Sequence, residues 1–270
     1  MRLIFGKGKV SNIIKKTDDV VLSKSECDIA ISRHVECQFN TYRPSVVINC
    51  AAKTNLEYCQ ENKREAFDSN TYGILNLIEQ CKKNNTKLVH ISSGCLFDGN
   101  EKISTEDSLT TPGVWYTWTK NWADEIIKNY GYDNFLILRP RQLISKTPHK
   151  SNMITKFLGF DSIGTISELQ SITCIEDFSE MIDHLIDHDA TGIFNCCNTG
   201  TVSPYDIAVA IRDHIKPTLE VSKISYEELL NKLPNRRVNT ILSCKKLRQT
   251  GYTPRSAEEA LIWCVKNYGK

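Results

Sequence analysis

Between Arg2 and Pro140 the apolar residues fall into short unbroken runs separated by segments with helical spacing, and that rhythm leaves few folds open. Arg2–Phe5, Val20–Leu22, Ser45–Ala51, Lys87–Ser93 and Phe135–Pro140 read as strands, whereas Ile74–Lys83 and Lys120–Tyr130 repeat apolar residues every three to four positions. A strand that is apolar at consecutive positions must be covered on both faces. Helices on both sides of a parallel sheet achieve this, so the pattern predicts an α/β fold with a doubly wound parallel sheet of Rossmann type.

After Pro140 the regularity weakens. A loop rich in Lys, Pro, His and Ser (Ser145–Ser151) leads to a helix beginning near Asn152, and a further strand is expected over Gly192–Cys197. Ser203-Pro204-Tyr205-Asp206 reads as a helix start, with a serine cap, proline in the first turn and an acid three residues on; Ser256-Ala257-Glu258-Glu259 reads the same way. A chain of 270 residues holds one large domain or two unequal lobes. We expect a nucleotide-binding domain over 1–148, its sheet completed by the strand near 192–197, and a smaller C-terminal lobe over 149–270 that mainly binds substrate. A net charge of +2 offers no basic field for nucleic acid, and no apolar run suggests a membrane span or a secretory leader. The eleven cysteines lack C-x-x-C pairs, so neither a disulfide framework nor a metal site is expected; Cys50, Cys81 and Cys264 read as reduced core residues. The cytoplasm is the compartment this composition fits.

Two segments carry chemistry. Gly6-Lys7-Gly8-Lys9-Val10-Ser11 follows the first strand directly, where glycines let the backbone turn tightly and approach a pyrophosphate. Cys50-Ala51-Ala52-Lys53 ends the third strand with small residues, as close approach to a cofactor requires. Further on, Tyr116 and Lys120 stand four apart on a helix and share a face. An ammonium beside a phenol favours the phenolate, so the tyrosine can pass a proton well below its ordinary value of about 10.

With Ser93 ending the fourth apolar run, this arrangement resembles the extended short-chain dehydrogenase/reductase superfamily, in which a Ser/Thr-Tyr-Lys set serves a nicotinamide cofactor. The glycine turn departs from the usual G-x-x-G-x-x-G, being one residue shorter with Ser11 in place of the third glycine. The resemblance implies cofactor contacts from Gly6, Lys7, Gly8, Lys9, Val10, Ala51, Ala52, Tyr116 and Lys120, with Asp28 and Ile29 beside the adenine. The second strand ends in Leu22-Ser23-Lys24 without an acid in that stretch, so Ser23 and Lys24 favour NADPH over NADH.

His90-Ile91-Ser92-Ser93-Gly94-Cys95-Leu96-Phe97 narrows the resemblance to dTDP-4-dehydrorhamnose reductase-like enzymes, whose matching serine or threonine polarises a sugar ketone. Cys95 matches an acid/base cysteine of bifunctional UDP-4-keto-6-deoxyhexose 3,5-epimerase/4-reductases, which make UDP-rhamnose. Ser151-Asn152-Met153-Ile154-Thr155-Lys156 is similar to their segment bearing the second epimerisation group, here Lys156, with Asn152 at the substrate. Arg236 or Arg237 matches an arginine that meets the substrate diphosphate, a bidentate task suited to guanidinium. The implied activity is NADPH-dependent reduction of the C4 ketone of a nucleotide-linked 4-keto-6-deoxyhexose, coupled with 3,5- or 3-epimerisation. The nucleotide (UDP or dTDP), the C2 substituent and the oligomeric state stay open, a homodimer being among the forms allowed. A 4-reductase alone and a non-catalytic reductase-like regulatory subunit are the other readings.

Overall fold

The computed structural model describes residues 1–99 and 102–270. Along the chain run β1 (Arg2–Phe5), α1 (Lys9–Ile14), β2 (Val20–Leu22), α2 (Ser32–Tyr42), β3 (Val46–Asn49), α3 (Leu56–Glu61) and α4 (Lys63–Phe67). After a π-helical turn at Asp68–Tyr72 come α5 (Gly73–Asn84), β4 (Lys87–Ile91), a 3₁₀ turn at Gly94–Leu96, α6 (Trp115–Asn129) and β5 (Phe135–Arg139). Then follow β6 (Leu143–Ile144), α7 (Met153–Leu158), β7 (Ser162–Thr165), β8 (Thr173–Cys174), α8 (Ile175–Asp187) and β9 (Gly192–Asn195). The chain closes with α9 (Pro204–His214), β10 (Glu220–Lys223), α10 (Tyr226–Lys232), α11 (Lys245–Gln249) and α12 (Ala257–Lys266).

These elements form two compact units. The first comprises Met1–Leu96, Leu109–Arg139 and Leu185–Phe194. Among the described residues its sheet has six strands in the order β2-β1-β3-β4-β5-β9, and β2 through β5 pair in parallel. Leu3, Ile4 and Phe5 are all fully buried, as are Val47 with Ile48 and Leu136 with Ile137 and Leu138. Consecutive buried positions require cover on both faces, which is the physical content of the unbroken apolar runs. One face packs Leu3, Phe5, Val47 and Leu88 against Val35 and Phe39 of α2 and Ile74, Leu77 and Ile78 of α5. The strand order reverses direction between β1 and β3, and in open parallel sheets ligands bind beyond the carboxyl ends at such a reversal.

Local chemistry sets the element ends. α6 begins at Trp115, five residues ahead of the expected Lys120, because the Thr117 hydroxyl accepts from the Val114 N–H and returns a bond to the Val114 carbonyl. The Tyr116–Lys120 pair therefore lies in the first turns of a long helix instead of at its start. β3 stops at Asn49, short of the expected Ala51, where the Asn49 side chain takes the Ala51 N–H.

The second unit comprises Phe97–Ser108, Pro140–His184 and Asn195–Lys270. It holds two small parallel pairs, β6 with β8 and β7 with β10. Its core joins Ile144, Ile154, Ile172, Ile207, Ile211, Leu261 and Val265. The two serine starts expected from sequence are capping boxes: Ser203 Oγ accepts from Asp206 N at 3.1 Å and Ser256 Oγ from Glu259 N at 3.2 Å, while each acid reaches back to its serine N–H. Such caps contribute about 1 kcal/mol each. No helix among the described residues is long and apolar enough to cross a membrane.

Candidate active site

Gly6 ends β1 with a φ of +94°, a backbone state that only glycine takes without strain. Its N–H bonds the Leu22 carbonyl at 2.8 Å, and a Cβ built on it would sit 2.4 Å from the Ala51 nitrogen. The carboxyl ends of β1 and β3 thus meet at a cradle with room for backbone alone. Gly8 is different: its φ of −152° is extended backbone, and a Cβ there meets nothing within 4 Å. Ser11 is fully buried, and its hydroxyl bonds the Gly8 N–H at 2.8 Å and the Gly8 carbonyl at 3.1 Å. The serine that replaces the expected third glycine closes the turn from inside. Lys7 is exposed, while Lys9 and Val10 open α1 and are half-buried.

Beyond β2 the charges are already paired. Ser23 donates both its N–H (2.7 Å) and its hydroxyl (2.6 Å) to the Glu26 carboxylate, so an acid does stand beside this strand end, supplied by the following turn. Lys24 lies 3.2 Å from Glu65 and 3.7 Å from Asp28. Glu65 also takes Lys53 at 2.7 Å and the Tyr58 hydroxyl, and Lys53 first, then Tyr58, hold its carboxyl down at about 2. Ile29 is buried against Gly73 of α5, where a Cβ would meet its side chain at 2.5 Å. Asn70 fixes the segment after β3: its amide bonds both the N–H and the carbonyl of Lys53 and reaches Thr119 of α6.

Ser93, Cys95, Tyr116 and Lys120 all belong to the first unit, and the Gly94–Leu96 turn packs on α6. Ser93 Oγ accepts the Cys95 N–H at 3.1 Å, which fixes the turn that carries the half-buried thiol. The Tyr116 ring packs with Cys59 and Ala66 and is 8% exposed. Lys120 is buried, with Nζ 2.8 Å from the Ile91 carbonyl and 3.0 Å from His90 Nε2. Burial lowers the Lys120 ammonium to about 8, against the opposing pull of Asp124 and Cys50. Asn49, opposite His90 in the β3–β4 register, completes the chain with an Nδ2 to Nδ1 contact of 3.2 Å. One turn past Lys120, Asp124 is fully buried and bonded to Arg139 of β5 at 3.0 Å. Burial raises its carboxyl, and Arg139 and Ser92 pull it back.

The remaining expected residues lie in the second unit. Lys156 is exposed in the last turn of α7. Asn152 is fully buried; its Nδ2 bonds the carbonyls of Ser145 (2.7 Å) and Thr147 (3.0 Å), while its Oδ1 caps α7 at Ile154 N. All three contacts brace the loop and helix start. Arg236 is exposed, and half-buried Arg237 bonds the Asn235 carbonyl at 3.0 Å. Sequence reasoning missed Asn49, His90, Asp124 and Glu26. Their signal was present for two: Asn49 and His90 are polar residues inside otherwise apolar strands, and such positions need a partner.

The family model described as the RmlD substrate binding domain matches residues 9–269. The chain is 26% identical over 276 residues to the bifunctional dTDP-4-dehydrorhamnose 3,5-epimerase/dTDP-4-dehydrorhamnose reductase of Arabidopsis thaliana, covering 96% of this chain and 90% of that protein. It is similar to the L780 UDP-rhamnose synthase of Acanthamoeba polyphaga mimivirus, whose crystal structure matches with a TM-score of 0.88 at 26% identity over 98% of each chain. A dTDP-4-dehydrorhamnose reductase from Bacillus anthracis in complex with NADP shares the fold, with a TM-score of 0.89 at 23% identity over 96% of each chain.

Proposed function

The chain belongs to the RmlD substrate binding domain family, and from that premise we propose that it is an NADPH-dependent reductase of the C4 ketone of a nucleotide-linked 4-keto-6-deoxyhexose. The observation that carries this reading is the burial of Lys120 one turn after Tyr116, with Nζ on the Ile91 carbonyl two residues before Ser93. The bifunctional relative in Arabidopsis and the UDP-rhamnose synthase of the mimivirus support the substrate class, and the NADP complex of the Bacillus reductase supports the cofactor. The turn after β1 fits a dinucleotide site, because residue 6 carries no side chain where the ends of β1 and β3 come together and a pyrophosphate would approach backbone. Residues 1–148 hold the cofactor in this reading and residues 149–270 mainly the sugar nucleotide.

When bound, the reduced nicotinamide supplies the hydride that C4 receives. Ser93 donates to the ketone oxygen and polarises it. Tyr116 transfers its phenolic proton to that oxygen as the alcohol forms, and Lys120 beside it stabilises the phenolate left behind. Arg236 or Arg237 pairs with the diphosphate. Asp124 and Arg139 keep the base of α6 rigid, since separating a buried ion pair by removing one partner costs about 3–5 kcal/mol.

We further propose that the chain epimerises the sugar before reducing it. The C4 ketone acidifies hydrogens at C3 and C5, Cys95 removes one as its thiolate, and Lys156 returns a proton. Cys95 is half-buried and stands on the turn fixed by Ser93, the residue proposed to polarise the ketone. The deciding experiment incubates the protein with NADPH and either UDP- or dTDP-4-keto-6-deoxyglucose, or the 2-acetamido analogue, and reads NADPH oxidation and the product by NMR. An L-rhamnose-type product supports both activities. A 4-hydroxy sugar with its original C3 and C5 configuration, or oxidation only with an already epimerised 4-keto sugar, leaves a reductase alone, and no oxidation with any of these substrates overturns the reading.

A further inference from the structure

Cys174, Glu176 and Cys264 meet inside the second unit, although 90 residues separate the two cysteines along the chain. Cys174 ends β8, Glu176 stands in the first turn of α8, and Cys264 reaches them from α12. Both cysteines are fully buried, and Glu176 is half-buried. The Cys174 thiol donates to Glu176 Oε2 at 3.2 Å, which uses its one proton. The 3.5 Å contact between the two sulfurs must then carry the proton of Cys264. That contact, and then burial, push the Cys264 thiol far up. Two weak S–H donors thus join three atoms that all lie within 4.8 Å of one another. Among the described residues no other three His, Cys, Asp or Glu side chains converge in this way.

We propose that these three side chains form a binding site for a thiophilic divalent cation of the zinc class, which takes the place of the two thiol protons. A tetrahedral zinc ion, with bonds of about 2.0–2.3 Å, sets its ligand atoms about 3.5–3.8 Å apart. The sulfurs already have that spacing, and the carboxylate needs to withdraw by only a few tenths of an ångström. Glu176 is aimed from behind. Its Oε1 accepts from Ser145 Oγ at 2.7 Å and from the Lys146 N–H at 3.3 Å, which leaves Oε2 to the sulfur. On binding, one divalent ion enters and two thiol protons leave. Two thiolates and a carboxylate then carry one negative charge in excess of the ion. The Arg255 guanidinium offsets it: Nη2 lies 3.8 Å from Cys174 Sγ, while Asp177 holds Nε at 3.2 Å. Glu176 and Arg255 also line a cleft of about 510 Å³ with Glu180 and Trp263, which gives the ion a way in and a water room as fourth ligand. The ion ties β8 and the start of α8 to the last helix and takes no part in the proposed reduction. Spacing rules could not reveal the site, because no C-x-x-C pair forms it.

The test uses the full chain, purified with a phosphine reductant, stripped with a chelator, and titrated with cobalt(II) and then zinc(II). One cobalt per chain is expected, with a near-ultraviolet thiolate-to-cobalt charge-transfer band and the strong visible absorption of a tetrahedral site. One zinc per chain should bleach both and raise the melting temperature. Cys174→Ser and Cys264→Ser should lose the band. Glu176→Gln, at a half-buried position, should keep the fold and weaken cobalt binding by at least about tenfold. Cys197→Ser, which breaks the other close pair (Cys197 to Cys244, 3.0 Å), should leave the band intact. Absence of the band at one equivalent of cobalt overturns the proposal, as does a band that survives Cys264→Ser or disappears in folded Cys197→Ser. Where a cysteine variant does not fold, Glu176→Gln decides: unchanged cobalt affinity overturns the site.

Discussion

Gly6 approaches Ala51 so closely that a methyl group on residue 6 would overlap the backbone of residues 50 and 51, at 2.4–2.7 Å. The contact joins the ends of β1 and β3 at the strand-order reversal, and it makes a sharp prediction about two glycines that look alike in the sequence. Gly6→Ala combines a forbidden φ with this overlap, so it should lower stability by at least about 1–3 kcal/mol and remove NADPH binding. Gly8→Ala, in extended backbone with open space, should change stability by less than about 1 kcal/mol. Urea denaturation and NADPH fluorescence titration of both variants compare them; equal losses would mean that the cradle does not select for glycine at position 6.

This contrast also marks what was legible in the chain. The strands β1 to β5 could be read because they carry apolar residues at consecutive positions, whereas β7 (Ser-Ile-Gly-Thr) and β10 (Glu-Val-Ser-Lys) do not and were not placed; the Ser203 and Ser256 caps could be read because local hydrogen bonding alone defines them. The helices α2 and α8 were not placed. α2 carries Arg33, His34, Glu36 and Asn40 around a narrow apolar stripe of Val35 and Phe39, so tertiary packing decides it. Residues whose role depends on partners far along the chain were equally hidden. His90 acts with Asn49 and Lys120, 41 and 30 residues away. Glu26 could not be seen as the acid at the end of β2 until the turn folded it back onto Ser23.

Replacing Tyr116 by Phe removes a proton and little volume. Reduction should fall by roughly 10²–10⁴-fold while NADPH still binds, because the ring continues to pack on Cys59 and Ala66. Stopped-flow reduction and equilibrium cofactor binding separate the two effects, and loss of binding together with activity would count against the assignment.

The wild-type rate should depend on pH through Lys120. Its folded pKa of about 8 lies below the ordinary 10.5, so the ammonium that supports the phenolate is present below pH 8 and is lost as the pH rises through it. Reduction should therefore decline on the alkaline side of pH 8. Stability runs the other way: between pH 8 and 10.5 the unfolded chain binds the extra proton, so unfolding becomes harder as pH rises across that window. A rate that stays flat to pH 10 would remove the Lys120 ammonium from the mechanism.

Cofactor choice should respond in opposite directions to two neighbouring charges. Lys24 offers a cation to a 2′-phosphate, whereas Glu26 places a carboxylate on Ser23 that repels one. Lys24→Ala should reduce kcat/KM with NADPH by about two- to fivefold and leave NADH nearly unaffected, the scale of one exposed ion pair. Glu26→Gln should raise the NADPH preference by removing the repulsion while keeping an acceptor for Ser23. Steady-state kinetics with both cofactors check this; unchanged ratios in both variants would show that the end of β2 does not meet the phosphate.

Epimerisation and reduction should come apart at Cys95. Its N–H is bonded to Ser93 Oγ, so the two residues share one turn, yet only the thiol is proposed to act on carbon. Cys95→Ser keeps the turn and replaces a thiol by a hydroxyl, which is a far poorer base near neutral pH. Deuterium uptake from heavy water at C3 or C5 should stop, while a 4-keto sugar supplied already epimerised should still be reduced by Ser93, Tyr116 and Lys120. Lys156→Ala should give the same split, and because Lys156 is exposed on α7 its replacement should leave stability within about 0.5 kcal/mol. Exchange at the wild-type rate in Cys95→Ser would take the cysteine out of the chemistry. Loss of reduction along with exchange would instead show that the substitution had displaced Ser93 through the turn they share.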